Sequence, residues 1–138
     1  MIQPSALSHE DDESQLGTTV KRLPNADAVS GATVLSIVVP TLNEYENVGE
    51  LVARLNQTLA GVAHEIIFVD DNSADRTWSA AKALAAQDRR IRCIRRVGRR
   101  GLSGACVEGV LSSSAPYVVI MDGDLQHDEG CIPAMLEP

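Results

Sequence analysis

The 138-residue chain has a net charge of −7, with 44% hydrophobic and 22% charged residues. This is the composition of a soluble globular protein, one domain at most and large enough to bury a core without staples. One Trp, two Tyr and one Phe give no stacking platform for single-stranded nucleic acid, and the acidic balance argues against bulk nucleic-acid binding.

Residues 1–31 contain the acidic run Glu10-Asp11-Asp12-Glu13 and no sustained periodicity; they are expected to be a disordered acidic tail in which His9 is solvated. The ordered domain is expected over residues 32–138. It begins with the β-prone run Val34 to Val39, closed by Pro40, which cannot continue a central ladder. After P-T-L-N-E at residues 40–44, Val48, Leu51, Val52, Leu55 and Leu59 recur at helical spacing, predicting an amphipathic helix over about 46–60. Glu44, Glu46 and Glu50 crowd its first turns, where the macrodipole favours negative charge.

Gly61 ends that helix, and Glu65 to Val69 reads as a second buried strand stopping at Asp70-Asp71-Asn72-Ser73. Asp75 or Ser73 can cap the next helix, in which Trp78, Ala81, Leu84 and Ala85 share a face. Ile91 to Val97 predicts a short third strand nearer an edge. Seven of the twelve basic residues lie between Arg89 and Arg100; such a run is more often a solvated face than a phosphate site, although it precedes a small-residue helix. That helix is expected to pack through Leu102, Ala105, Cys106 and Val110. Its glycines form neither a dinucleotide fingerprint nor a P-loop.

Tyr117 to Met121 is an unbroken run of five apolar residues, the pattern of a strand buried on both faces of a parallel sheet. It stops at Asp122-Gly123-Asp124, with Gln126, His127 and Asp128 close behind. Asp-Gly-Asp alone reads as a turn. Here it follows a strand, where open α/β sheets bind ligands, and two close carboxylates repel unless a cation or a proton sits between them. Hard oxygen donors suit Mg²⁺ or Mn²⁺, which commonly bridge a carboxylate to substrate phosphates. The β-α-β-α-β-α-β order predicts an α/β fold, a parallel sheet with helices on both faces.

V-V-P-T-L-N-E, I-I-F-V-D-D-N-S-A-D-R-T, R-R-G-L-S-G-A and V-I-M-D-G-D-L-Q-H-D, in this order and spacing, resemble the nucleotide-sugar glycosyltransferases of family 2. Within that family they are most similar to the dolichyl-phosphate (polyprenyl-phosphate) mannose synthases. The resemblance covers about residues 34–138. It implies the Rossmann-like, nucleotide-binding half of a GT-A fold, and a metal-dependent transfer of a hexose, mannose from GDP-mannose, to a polyprenyl or dolichyl phosphate.

By position, Pro40, Leu42 and Glu44 are then expected to line the nucleotide pocket, and Val69 and Asp71 to hold base and ribose. Asp122, Gly123 and Asp124 correspond to the Asp-X-Asp element, with Asp122, Asp124 and Gln126 as ligands of Mg²⁺ or Mn²⁺. Family members run well past two hundred residues, so the chain reads as a truncated, donor-binding half. A membrane association of the full-length enzyme is implied but not encoded here: no apolar run reaches the ~18 residues of a span. The polar N-terminus is no ordinary signal peptide. Cys93, Cys106 and Cys131, without a Cys-x-x-Cys pair, fit a reduced compartment. The expected location is cytoplasmic, at the cytoplasmic face of a membrane.

Two other readings compete. V-D-D-N after one strand and an aspartate ending a later strand imitate the acidic pocket of a phospho-acceptor receiver domain. Against it, a strand-helix unit with P-T-L-N-E precedes the Asp pair, where a receiver would begin. The other is a catalytically inactive nucleotide-binding module.

Overall fold

Strand and helix alternate through residues 32–137, the part of the chain described by the computed structural model; the expected tail, residues 1–31 with His9, lies outside the described residues. The order is β1 (Leu35–Thr41), a 3-10 turn (Tyr45–Asn47), α1 (Val48–Thr58), β2 (His64–Asp70), α2 (Thr77–Gln87), β3 (Ile91–Arg95), α3 (Leu102–Leu111) and β4 (Tyr117–Ile120). A second 3-10 turn (Glu129–Cys131) leads into the short α4 (Ile132–Met135). Every strand pair is parallel, and the sheet order is β3-β2-β1-β4.

The chain therefore grows outward from β1 to β3 and then returns to the other side of β1. Parallel crossovers are right-handed, so the return must cross the opposite face from the first two connections. The packing agrees. Leu35, Ile37 and Val39 of β1 and Ile66 and Phe68 of β2 form one core with Val48, Leu51 and Leu55 of α1 and Ala81 of α2. On the other face Val38, Ile67 and Val69 meet Ala105 of α3. Val48, Leu51 and Leu55 are at most 1% exposed; each such side chain contributes ~1.5–3 kcal/mol of gross burial free energy, as an upper estimate.

α3 packs through Ala105 and Gly109 rather than through the larger residues of the expected face. Leu102 and Val110 are 64% and 38% exposed. A methyl built on Gly109 would lie 2.3 Å from Val38 Cγ1 and 3.1 Å from Val69 Cγ2. The helix backbone comes so near the sheet that only the smallest residues fit between them.

Three further expectations are corrected. The first strand continues through Pro40, which pairs with Val69, to Thr41. Val38 O accepts the Met121 N–H (3.0 Å) on the β4 side, and residues two apart along a strand face the same neighbour. Pro40 thus turns its missing N–H toward β4 beyond the point where pairing with β4 has stopped. Second, β4 is only half-buried, and Ile120 is 47% exposed, because among the described residues it pairs on one side only and α3 lies over β1 and β2. Third, β3 ends at Arg95 rather than Val97, at the sheet edge as expected.

Candidate functional site

The reversal of strand order falls between β1 and β4, so the crevice beyond their carboxyl ends is where an open α/β sheet offers a ligand site. The residues there are Thr41 to Glu44 after β1 and Asp122 to Asp124 after β4, with Asp70 to Asn72 alongside after β2. Gly123 is buried against β1: a methyl on it would meet Thr41 Cγ2 at 3.1 Å, Val39 Cγ1 at 3.4 Å and Glu44 Cγ at 3.7 Å. That close approach seats the Asp122–Asp124 loop on the P-T-L-N-E loop.

The two β-α loops after β1 and β2 are bound together through Asp70, which is fully buried. Its carboxylate accepts the Thr41 hydroxyl (2.7 Å), the Ser73 N–H (2.8 Å) and the Ser73 hydroxyl (2.7 Å). Asn43 and Asn72, each two residues beyond its strand, both take left-handed torsions (φ 57° and 59°), which Asn tolerates better than other non-glycine residues. Leu42 is 49% exposed. Glu44 is half-buried, and its Oε2 accepts the Asn47 side-chain amide at 2.7 Å. An open polar cleft of about 470 Å³ runs beside this loop, lined by Asn43 to Asn47 and Asp75.

Neither Ser73 nor Asp75 caps α2 as the sequence suggested. The residue before the helix is Arg76, in a left-handed conformation with no side-chain cap bond. Asp75 reaches forward instead, its Oδ1 accepting the Thr77 N–H (3.0 Å) and the Thr77 hydroxyl (2.5 Å). Desolvation raises the Asp75 pKa, but bonds from the Thr77 hydroxyl and then from the Tyr45 and Thr77 amides outweigh it. The carboxyl is held below the ordinary range and stays ionised at neutral pH.

Asp70 and Asp71 point to opposite faces of the sheet. Asp71, 7% exposed, lies on the α3 side, where Oδ1 accepts from Arg96 (2.7 Å) and Oδ2 from the Gly101 N–H (2.8 Å). Each oxygen keeps a lone pair. Arg96, 4% exposed, also donates to Glu108 Oε2 (2.8 Å) and the Gly101 carbonyl (2.9 Å). Arg99 donates to both Glu108 oxygens, Oε2 at 2.7 Å and Oε1 at 2.9 Å. Arg99 first, and then Arg96, hold the Glu108 carboxyl down to about 2. Arg95 lies 3.7 Å over the Trp78 ring and donates to Asn72 Oδ1 (2.8 Å). Arg95 and Arg96, with Arg99 through Glu108, thus tie β3 and α3 to the site, whereas Arg90 pairs with Asp88 and Arg92 with Glu65. Val69 is fully buried under α3, so its side chain offers no surface to a ligand, and Pro40 is likewise buried.

Asp122, Asp124, Gln126 and His127 are exposed, on one loop. Asp124 Oδ1 accepts the Gln126 N–H (3.0 Å), and His127 Nε2 lies 3.4 Å from Asp122 Oδ2. Among the described residues no Lys or Arg pairs with Asp122 or Asp124, and no three His, Cys, Asp or Glu side chains are gathered as a ready-made metal cage. Two uncompensated carboxylates and an amide fit a hard divalent cation that takes its remaining ligands from water and substrate phosphate, as Mg²⁺ does. Asp128 accepts the Gly130 N–H (2.9 Å), ordering the turn into α4. Among the described residues no helix is long and apolar enough to cross a membrane.

The sequence assigns no role of their own to Asp70, Thr77 or Arg96, and to Ser73 and Asp75 only that of helix caps. The signal for Asp70 was there in the period of two, which puts it on the Ile66/Phe68 side and Asp71 on the Ile67/Val69 side.

Comparison with known proteins fits this geometry. The dolichol-phosphate mannosyltransferase of Pyrococcus furiosus is 42% identical over 103 residues, covering 75% of this chain and 29% of that protein. The dolichol-phosphate mannosyltransferase of Saccharomyces cerevisiae is 39% identical over 108 residues, covering 74% and 39%. The chain thus spans well under half the length of these relatives. The mannosyltransferase PcManGT of Pyrobaculum calidifontis, solved in complex with GDP-Man and Mn²⁺, superposes with a TM-score of 0.59 at 22% identity, covering 86% of this chain and 34% of that one. The expected fold class, the GT-A type of α/β sheet, is the one observed. The sequence model described as Glycosyl transferase family 2 matches residues 36–138, and the chain belongs to that family.

Proposed function

We propose that this chain is the donor-binding part of a metal-dependent glycosyltransferase that moves a hexose, mannose from GDP-mannose, to a polyprenyl or dolichyl phosphate. The observation that carries the reading is the seating of the Asp122-Gly123-Asp124 loop on the end of β1 at the strand-order reversal. Two carboxylates without a protein cation there stand beside the Leu42–Glu44 loop. The likeness to two dolichol-phosphate mannosyltransferases supports the choice of sugar and acceptor.

In this reading Asp122, Asp124 and Gln126 hold Mg²⁺ or Mn²⁺. The bound metal offsets the charge of the donor diphosphate and stabilises the departing nucleotide. Leu42 offers an exposed apolar side chain to the base, with Pro40 and Glu44 shaping the same wall. Asp71, fixed by Arg96 and the Gly101 amide, uses its remaining lone pairs for a base or ribose donor, next to the backbone of Val69. The acceptor phosphate is already an anion and needs little help from a general base, so no residue is assigned that task. His127 stands against Asp122 as a neighbour. In this reading a lipid-phosphate acceptor brings the protein to a membrane surface, on the cytoplasmic side that its unpaired cysteines fit.

A thermal-shift panel of GDP, UDP and their hexose conjugates, each with and without Mn²⁺, tests the proposal. A ligand at about 100 times its Kd stabilises the folded chain by roughly 2.7 kcal/mol. The expected result is a shift with GDP that grows with Mn²⁺. No shift with any nucleotide would overturn the reading, and a shift confined to UDP would overturn the choice of donor.

A further inference from the structure

Three consecutive amides of the loop after β1 are received by three side chains at alternate positions of the next loop and the first residue of α2. The Asn43 N–H donates to Ser73 Oγ (2.8 Å), the Glu44 N–H to Thr77 Oγ1 (2.8 Å) and the Tyr45 N–H to Asp75 Oδ2 (3.1 Å). The polarity of each bond is fixed from behind. The Ser73 hydroxyl spends its one proton on Asp70, and the Thr77 hydroxyl spends its own on Asp75, so both turn lone pairs to the loop. Asn43 closes the arrangement, its side-chain oxygen accepting the Asp75 N–H at 3.3 Å from a left-handed backbone.

We propose that Ser73, Asp75 and Thr77 are positioning residues for donor binding: they form a clamp that reads three successive amides and holds Leu42 to Glu44 in the shape that meets the nucleotide. None of the three needs to touch the ligand. Ser73 and Thr77 are 3% and 0% exposed and are part of the folded interior, whereas Asp75 is exposed. Asp75 can therefore be removed without opening the core, although the buried Thr77 hydroxyl then loses its acceptor; it supports Tyr45 directly and Glu44 through Thr77. A loop ordered in advance costs the ligand less to engage. The proposal rests on the donor-binding reading for its functional half; the ordering of the loop does not depend on it.

Asp75→Ala and Asp75→Asn in the full chain test it by amide hydrogen exchange, nucleotide titration with Mn²⁺ and thermal midpoint. In Asp75→Ala the Glu44 and Tyr45 amides should exchange roughly tenfold faster while the amides of β1 and β2 keep their protection. GDP affinity should fall about fivefold, the loss of about one net hydrogen bond, and the midpoint should drop only modestly, because the Thr77 hydroxyl loses its acceptor while the core packing is untouched. Asp75→Asn keeps one acceptor oxygen and should fall between. Unchanged protection at residues 43–45, equal nucleotide affinity in Asp75→Ala, or loss of protection throughout the sheet would each overturn the proposal. If the unaltered chain binds no nucleotide, the donor-binding reading fails and the positioning role with it, and the exchange pattern alone then decides whether the clamp orders the loop.

Discussion

Enlarging Gly123 tests whether the acidic loop is seated on β1. A first methyl there would stand 3.1 Å from Thr41 Cγ2 and 3.4 Å from Val39 Cγ1, against ~3.5–4.0 Å for an optimal carbon–carbon contact. Gly123 has no left-handed torsion to exclude a side chain, so Gly123→Ala needs only a small adjustment by Thr41. The reduced entropy of the unfolded chain, ~0.4–1 kcal/mol, offsets the crowding, and the alanine variant should be close to neutral in stability. Gly123→Val puts two more methyls into the same space, an overpacking that costs ~1–3 kcal/mol. The least resisted relief lifts Asp122 and Asp124 away from Glu44. Urea unfolding and calorimetric titration of GDP with Mn²⁺ read the two consequences separately. Alanine should leave the affinity nearly intact, and valine should lower it about tenfold or more, ~1.4 kcal/mol. A valine variant that binds as the parent does would refute the seating of this loop and the site built on it.

Arg96→Ala strands the buried Asp71 carboxylate, and urea unfolding should register a loss of about 3–5 kcal/mol; a loss under ~1 kcal/mol would mean that water already reaches the pair. Glu108 has its pKa lowered from 4.5 to about 2, so its contribution to stability is complete above about 4.5 and disappears as pH falls toward 2. Glu108→Gln should accordingly flatten stability between those pH values, measured as urea midpoints; an unchanged pH dependence would contradict the Arg99–Glu108–Arg96 linkage. The isolated chain, incubated with radiolabelled GDP-mannose, Mn²⁺ and polyprenyl phosphate, should leave no label in the lipid phase, because holding a donor without positioning the acceptor supplies little rate. Label above a no-protein control, abolished by Asp124→Ala, would reverse that expectation.

The elements were legible in the sequence wherever one local pattern decided them. Runs of β-prone residues marked β1, β2 and β4, and the spacing of Val48, Leu51, Val52 and Leu55 marked α1. What escaped was set by neighbours distant in sequence. Pro40 stays in a strand because β4 stops short of it, which no local rule expresses. The packing face of α3 follows from how closely its backbone approaches Val38 and Val69, a distance that only the assembled sheet fixes. A basic run reads as solvated until its partners are known; those of Arg96, Asp71 and Glu108, lie 25 and 12 residues away. The acidic residues at the strand ends were legible as a group, but not which of Asp70 and Asp71 is buried in the scaffold. S-A-D-R-T looked like the start of a helix, while its side chains serve the loop thirty residues earlier, at separations of 30 to 33.

The central claim, that the carboxyl edge of β1 and β4 binds a nucleoside diphosphate through a divalent cation, is tested most directly by titration calorimetry of GDP into the chain with and without Mn²⁺, repeated on Asp124→Ala. The account predicts binding strengthened by Mn²⁺ in the unaltered chain, and loss of that strengthening in the variant with its thermal midpoint retained. Equal, metal-sensitive affinity in Asp124→Ala would contradict it.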